Sequence, residues 1–285
     1  MAAMTGYTRK GEWLRTRRPL ESLPVSERFL DRLREEGGVR EAGGSVLLRL
    51  FPQERGAFAA EWVPLDILFE DDFCFVVHKP AGMPVHPERT DGTGTLCNAV
   101  AGHYEATGQV HRVRHIHRLD VQTTGPVLFA KNAFAHAVLD EAMRDKRIGR
   151  TYLAVVKGRP DPPEGVIDLP IGRDRHHRRR RRVSPTGKPA VTRYETVRVL
   201  AGGEASLVRL WLETGRTHQI RVHLSHIGHP LWGDLLYGGP ASPVIRRQAL
   251  HGERLVFPHP WTGLPMDVED PIPPDMRQLI ESLES

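Results

Sequence analysis

Hydrophobic and polar positions along this chain follow two periods, one typical of helices and one typical of strands. After Asn132, apolar residues recur three or four positions apart as far as Met143, which predicts an amphipathic helix at about 132–146 capped by Asn132. Similar spacing predicts helices at about 217–227 and 274–283. Runs rich in β-branched and aromatic residues predict strands at 66–70, 73–79, 126–131, 151–156, 190–199 and 206–213. This order indicates an α+β fold with a large mixed, mostly antiparallel sheet flanked by helices.

The first 60 residues predict a small separate module. Ser26 is placed to cap a helix that runs through Arg34, and the glycine pair 37–38 ends it. A turn at residues 43–44 and a strand at 45–51 follow. The segment 61–65 is typical of a linker. We therefore expect two units, residues 1–60 and 61–285, with the chemistry in the second.

Composition places the chain among ordinary globular proteins. It has 285 residues, and its hydrophobic content of 39% is enough for a buried core. No stretch approaches the roughly 18 consecutive apolar residues of a membrane span, and no secretory signal is evident. Its two cysteines, Cys74 and Cys97, lie too far apart for a zinc-type pair. We expect a cytoplasmic protein that does not associate with membranes.

Charge favours a nucleic-acid partner, though only modestly. The net charge is +5 and the pI is about 9.5. Of 40 basic residues 6 are lysine, so 40 − 6 = 34 are arginine, which suits bidentate phosphate contacts. Five consecutive arginines occupy positions 178–182. Such a run is either a solvated loop or a contact for phosphate, and Arg178, Arg179 and Arg180 are the candidate RNA-binding residues.

Two polar segments are candidates for chemistry. In residues 117–125, Arg118 and Asp120 precede a buried strand, where they form either a plain ion pair or a catalytic carboxylate with its neighbour. In residues 214–223, Thr217 is the expected cap of a helix whose polar stripe contains His218 and Arg221. That helix is either an ordinary amphipathic helix or part of an anion site. A third segment, 78–87, predicts a rigid turn.

Five blocks together resemble one family. Residues 67–88, 117–131 and 212–238 resemble the first, catalytic and C-terminal motifs of the RluA family of pseudouridine synthases, and 150–158 and 187–195 resemble the segments between them. The resemblance extends from about residue 62 to the end of the chain. It implies the pseudouridine synthase fold and the isomerisation of chosen uridines in structured RNA. The first 60 residues resemble a degenerate S4-type RNA-binding module.

The resemblance also implies roles for individual residues. Asp120 matches the catalytic aspartate, and Arg221 matches the basic residue that pairs with it. Tyr152 matches the active-site tyrosine that lies against the target base, and Ile220 matches an apolar residue near that base. Arg118 matches the arginine implicated in opening the RNA so that the base leaves the stack.

The implied reaction breaks the N1–C1′ bond, turns the uracil and rejoins it through C5. A carboxylate serves this chemistry as a nucleophile or as a support for charge at the sugar, and a guanidinium beside it favours its ionised form. Attack at C1′, attack at C6 and proton abstraction all remain open. No step requires a redox or hydride carrier, so we expect neither a cofactor nor a metal.

Two other classes compete with this interpretation. One is a catalytically silent RNA-binding or ribosome-assembly protein on the same fold. The other is a zinc metallohydrolase that would use His115, His117 and Asp120, although the aspartate lies one position too late for that motif. Ribosomal RNA is the favoured substrate, transfer RNA remains open, and a monomer is expected.

Overall fold

The N-terminal part forms a small sheet with one helix. The computed structural model describes residues 6–54, 56–89 and 92–284. Helix α1 follows its cap Ser26, whose side chain accepts a hydrogen bond from the Phe29 backbone, as predicted. The strands pair in the order β1-β2-β4-β3, and of these only β4 was predicted. The elements are β1 (Tyr7–Lys10), β2 (Trp13–Thr16), α1 (Glu27–Glu35), β3 (Val39–Ala42) and β4 (Ser45–Leu48).

Two larger antiparallel sheets form the rest of the molecule, which confirms the predicted α+β class. The first has the order β5-β6-β8-β7 and the second the order β10-β13-β14-β9-β15-β16, while β11 and β12 form a separate hairpin. Their bounds are β5 (Asp66–Glu70), β6 (Cys74–Lys79), β7 (Arg114–His115), β8 (Gly125–Ala130), β9 (Gly149–Lys157), β10 (Glu164–Asp168), β11 (Ile171–Arg173), β12 (Arg181–Val183), β13 (Val191–Leu200), β14 (Ala205–Leu212), β15 (Leu250–Pro258) and β16 (Pro265–Glu269).

Four helices cover these sheets. They are α2 (Leu96–Ala106), α3 (Ala133–Arg144), α4 (Gln219–His226) and α5 (Pro274–Ser282). The α3 cap is confirmed, because the Asn132 side chain accepts a hydrogen bond from Ala135 N at 2.8 Å. The predicted cap of α4 is wrong: His218, not Thr217, holds the N-cap position, without a side-chain cap. Among the described helices, none is long and apolar enough to cross a membrane.

The N-terminal sheet and the two larger sheets share one hydrophobic core. Leu14 and Leu48, which are fully buried, belong to the same cluster as Phe73, Phe134 and Trp261. Cutting the chain near residue 60 would expose these aromatic rings to water. The division at residue 60 therefore stays a prediction, and so does the likeness of the first unit to an S4 module.

The two large sheets meet directly behind the segment that bears Asp120. The backbone N–H of Gly252 in β15 donates to the Thr124 carbonyl at 2.8 Å. Gly125 has φ +138, and a Cβ there would lie 2.8 Å from the Gly252 Cα. Only glycine permits both this backbone conformation and this approach. The contact fixes the loop that precedes β8 against the six-stranded sheet.

Candidate active site

A wide cleft lies between the two large sheets and collects the residues of all the chemical segments. Its volume is about 1860 Å³. Of the eight residues named from the sequence, seven line it: Arg118, Asp120, Tyr152, Arg178, Arg179, Ile220 and Arg221. Arg180 is not among the lining residues. Its guanidinium lies 5.6 Å from the centre of the Tyr237 ring, and its Nε lies 3.8 Å from an Asp174 carboxylate oxygen.

A buried lysine holds the loop that follows Asp120. Lys79 is fully buried, and its Nζ donates to the carbonyls of Pro80, Met83 and Val121 at 2.7, 2.8 and 3.0 Å. Burial lowers the pKa of Lys79 to about 7, while the Asp120 carboxylate acts in the opposite direction. Three acceptors match the three donors of an ammonium group. The turn predicted at 78–87 is thus tied to the loop that follows Asp120.

Arg221 joins Asp120 to a second carboxylate that the sequence argument missed. Its Nη1 lies 3.3 Å from an Asp120 oxygen, while its Nε and Nη2 donate to the two oxygens of Asp234 at 2.6 and 2.9 Å. Asp234 is 2% exposed. Burial is the largest single influence and lowers the pKa of Arg221, but the hydrogen bonds and charge of Asp234, together with the charge of Asp120, raise that pKa overall. This two-point contact fixes the plane of the guanidinium and leaves one edge for Asp120.

The cleft also offers an apolar surface to a planar ring. Tyr152 in β9 and Ile220 in α4 are both buried and belong to one hydrophobic cluster. Burial raises the pKa of Tyr152, and the Asp120 carboxylate adds to that effect. The tyrosine therefore stays a neutral hydroxyl, and an aromatic face with a polar tip lies near the carboxylate.

Basic side chains form the rim of the cleft. Arg118 is exposed, and its Nη1 lies 3.3 Å from His86 Nε2. Arg178 and Arg179 are exposed at the tip of the β11–β12 hairpin. Arg150 was not singled out from the sequence. It lines the cleft in β9, and within the described part of the chain its buried Nε has no hydrogen-bond partner. These groups make the rim suited to phosphate.

His115 and His117, the two histidines that precede Asp120 in the chain, lie in buried surroundings. The Leu128 backbone donates to His117 Nε2 at 3.2 Å, so that nitrogen is already occupied. Burial lowers the pKa of His117 to about 3 and that of His115 to about 4. Within the described residues, the potential metal ligands that cluster are Asp71, Cys74 and His259, and this group does not include those that the zinc interpretation needs.

Comparison with known proteins shows which class of enzyme this chain belongs to. A family model described as RNA pseudouridylate synthase matches residues 73–226, which is more than half of the chain. The solved structure titled Human RNA Pseudouridylate Synthase Domain Containing 4 has the same fold, with a TM-score of 0.63 and 24% identity over 76% of this chain and 92% of that one. The fold and the family model together define an RNA pseudouridine synthase.

Relatives that are similar in sequence show which family of pseudouridine synthases the chain belongs to. The RNA pseudouridine synthase YhcT of Bacillus subtilis, which is named as uncharacterised, is 47% identical over 83% of this chain and 78% of that protein. Ribosomal large subunit pseudouridine synthase D of Nitrosomonas europaea is 46% identical over 79% of this chain and 67% of that protein. The chain belongs to the RluA family of pseudouridine synthases.

Proposed function

We propose that this enzyme isomerises uridines of ribosomal RNA and that Asp120 is its catalytic carboxylate. The observation that supports this most strongly is the arrangement of two carboxylates around Arg221. Asp234 takes the Nε and Nη2 of the guanidinium, which leaves Nη1 facing Asp120 at 3.3 Å. A cation fixed in this way places a positive charge beside the Asp120 carboxylate without covering it. The Asp120 side chain is 24% exposed and opens into the cleft.

The substrate base must leave its helix to reach Asp120. Arg118 stands exposed at the cleft entrance, where it can fill the gap that the base leaves. The extruded uracil would stack against Tyr152, with Ile220 beside it. In this position Asp120 acts on the sugar or on the base, while the Arg221 guanidinium holds a positive charge beside the carboxylate. Binding energy from the rim thus positions one nucleotide at a small, desolvated centre.

The rim supports a role in holding the RNA backbone. Arg150, Arg178 and Arg179 lie around the cleft, and none of them is hydrogen-bonded to a carboxylate in the described chain. They would contact phosphates on either side of the flipped nucleotide. Ribosomal RNA is the proposed substrate because a relative of 46% identity is named for the large ribosomal subunit. We further propose that the N-terminal unit aids the choice of RNA without taking part in the chemistry.

The test uses unmodified transcripts of large-subunit ribosomal RNA and of transfer RNA. The purified enzyme is incubated with each, and pseudouridines are mapped at single-nucleotide resolution. We expect one or a few sites in the ribosomal transcript and none in the transfer RNAs. Modification of transfer RNA alone would overturn the substrate proposal. Tight binding to RNA with no pseudouridine in either pool would instead favour the catalytically silent class.

A further inference from the structure

Tyr237 links three parts of the active-site region. It closes a short helical turn at Leu235–Tyr237 and is 5% exposed. The Arg221 guanidinium lies 4.9 Å from the centre of its ring. Its hydroxyl accepts a hydrogen bond from the Arg181 backbone N–H at 2.9 Å and lies 2.9 Å from His218 Nδ1. One side chain therefore contacts the arginine hairpin, the guanidinium beside Asp120 and a histidine of the cleft.

His218 occupies an unusual backbone position next to Asp120. Its φ of 58° and ψ of 21° are left-handed, a conformation that side chains with a Cβ disfavour. Its Nε2 lies 3.9 Å from an Asp120 oxygen, about 1 Å beyond an ordinary hydrogen bond. Catalytic contacts are often this long before substrate binds. A strained residue that faces the catalytic carboxylate suggests that its position serves function.

The contacts of Tyr237 determine which nitrogen of His218 bears the proton. The tyrosine oxygen already accepts from Arg181, so its own proton is free to be donated to His218 Nδ1. Burial lowers the pKa of His218, which favours the neutral ring. A neutral ring that accepts at Nδ1 carries its proton on Nε2, the atom that faces Asp120. The opposite tautomer would turn a lone pair towards the carboxylate and give the Tyr237 proton no place on the ring.

We propose that Tyr237 and His218 are positioning residues for Asp120. Tyr237 holds the His218 ring with its proton on Nε2, and His218 donates that proton in a hydrogen bond that orients the carboxylate when RNA fills the cleft. The contact with Arg181 also ties this pair to the β11–β12 hairpin. This inference rests on the proposed role of Asp120, but the proton position it assigns is a property of the free enzyme.

Two substitutions of His218 separate donation from backbone geometry. The amide of Gln in His218→Gln reaches the place of Nε2 and can donate to Asp120. The shorter amide of Asn in His218→Asn reaches only the place of Nδ1, although asparagine tolerates the left-handed conformation better than glutamine.

Tyr237→Phe keeps the ring under Arg221 and removes only the hydroxyl. Matched controls outside the site are Tyr194→Phe, which loses one bond to the Pro162 carbonyl, and His226→Asn on exposed α4 surface.

The first measurement is the single-turnover rate on modified RNA together with the Kd. We expect the rate to fall about ten-fold or more in Tyr237→Phe and in His218→Asn, because each loses one hydrogen bond that acts on a charged group. The rate of His218→Gln should remain within about three-fold of the parent rate. The Kd should change by less than about two-fold, since neither side chain grips the RNA backbone. A His218→Asn enzyme as fast as or faster than His218→Gln would overturn the donor role.

The second measurement is the ¹⁵N spectrum of His218 in the free protein, assigned by its loss in His218→Gln. We expect the Nδ1 resonance in the unprotonated range and the Nε2 resonance in the protonated range, with this preference weakened in Tyr237→Phe. A proton on Nδ1 would overturn the proposal. The spectrum is decisive even if the parent enzyme turns over no RNA, so a failure of the proposed function is distinguishable from a failure of this inference.

Discussion

Two sets of arginines in this enzyme differ in what surrounds them. Arg221 is 7% exposed and is gripped at two points by Asp234. Arg178 and Arg179 are exposed at the tip of a hairpin. The side chains are chemically identical, yet burial and a bidentate partner give the first a single orientation, whereas the others remain free to follow a phosphate. The same residue type thus serves two tasks.

Because of this difference, Arg221 is expected to act on the rate of reaction, and the exposed arginines on the free energy of RNA binding. The field of a fixed, desolvated guanidinium acts on Asp120 through a medium that screens it weakly. Exposed guanidinium groups act through a screened, salt-dependent attraction that depends on their number. Loss of order around Arg221 should therefore damage turnover, and loss of charge on the hairpin should damage affinity.

The largest expected effect on stability comes from Asp234→Asn. Removing the charge of Asp234 leaves the buried Arg221 with only the partly exposed Asp120 as a counter-charge, which costs up to about 3–5 kcal/mol of stability. Turnover should also fall by at least about ten-fold, because Arg221 loses the contact that aims it at Asp120. Urea unfolding and single-turnover rates measure the two effects.

Asp267→Asn is the matched control for that change. Asp267 pairs with Arg254 on the surface, where the two side chains are 45% and 48% exposed. Because water screens this pair, both stability and turnover should stay close to the parent. Equal effects of the two substitutions would remove the distinction between the buried and the exposed arginines.

A smaller effect is expected from His117, a buried histidine among the residues that line the cleft. Burial lowers the pKa of His117 to about 3, far below the ordinary value near 6.5 in an unfolded chain. The unfolded chain therefore takes up a proton first, and the contribution of His117 to stability is complete above about pH 6.5 and declines as the pH falls towards about 3.

The test of this pH dependence is His117→Gln, followed by urea unfolding between about pH 6 and about pH 4. The slope of unfolding free energy against pH should decrease by up to about 1.4 kcal/mol per pH unit, the value for one proton. His226→Gln, on an exposed site of α4, should leave the slope unchanged. An unaltered slope in His117→Gln would mean that this ring is not kept neutral by the fold.

The smallest effect is expected at the hairpin. Arg178→Gln combined with Arg179→Gln should weaken RNA binding and reduce the salt dependence of log Kd by somewhat under about one unit per lost contact. Turnover of bound RNA should be preserved, since neither residue touches Asp120. Measurements of Kd from low to high salt check this. An unchanged slope of log Kd against log salt concentration would mean that the arginine run is a solvated loop that does not contact phosphate.

Sequence patterns predicted the elements with a clear period or a clear apolar run. Helix α3 was visible because one of its faces is apolar and Asn132 caps it. The spacing also predicted α4, but the polar stripe expected there is partly wrong, because residues 219–224 are all buried, Arg221 among them. Helix α2 was missed because apolar residues occur around much of its circumference, which leaves no clear period. Strands β1, β2 and β3 of the N-terminal sheet were missed because each is only four residues long.

The site was predictable as a set of residues but not as an arrangement. Asp120, Tyr152 and Arg221 follow from motifs, and the structure places them in one cleft. Asp234 and Tyr237 lie in an irregular segment after α4, where no periodicity indicates which side chains point inward. The left-handed conformation of His218 depends equally on tertiary contacts, so Thr217 was a reasonable but wrong choice of cap.

The most direct test of the central claim follows tritium at C5 of uridine. Forming the new bond at C5 expels this hydrogen, so isomerisation releases tritium to water. Asp120→Asn keeps the size of the side chain and removes its charge, while Asp140→Asn on the exposed face of α3 serves as control. We predict that Asp120→Asn binds RNA and unfolds like the parent yet releases no tritium, and that the control releases it normally. Release by Asp120→Asn at near the parental rate would contradict the account.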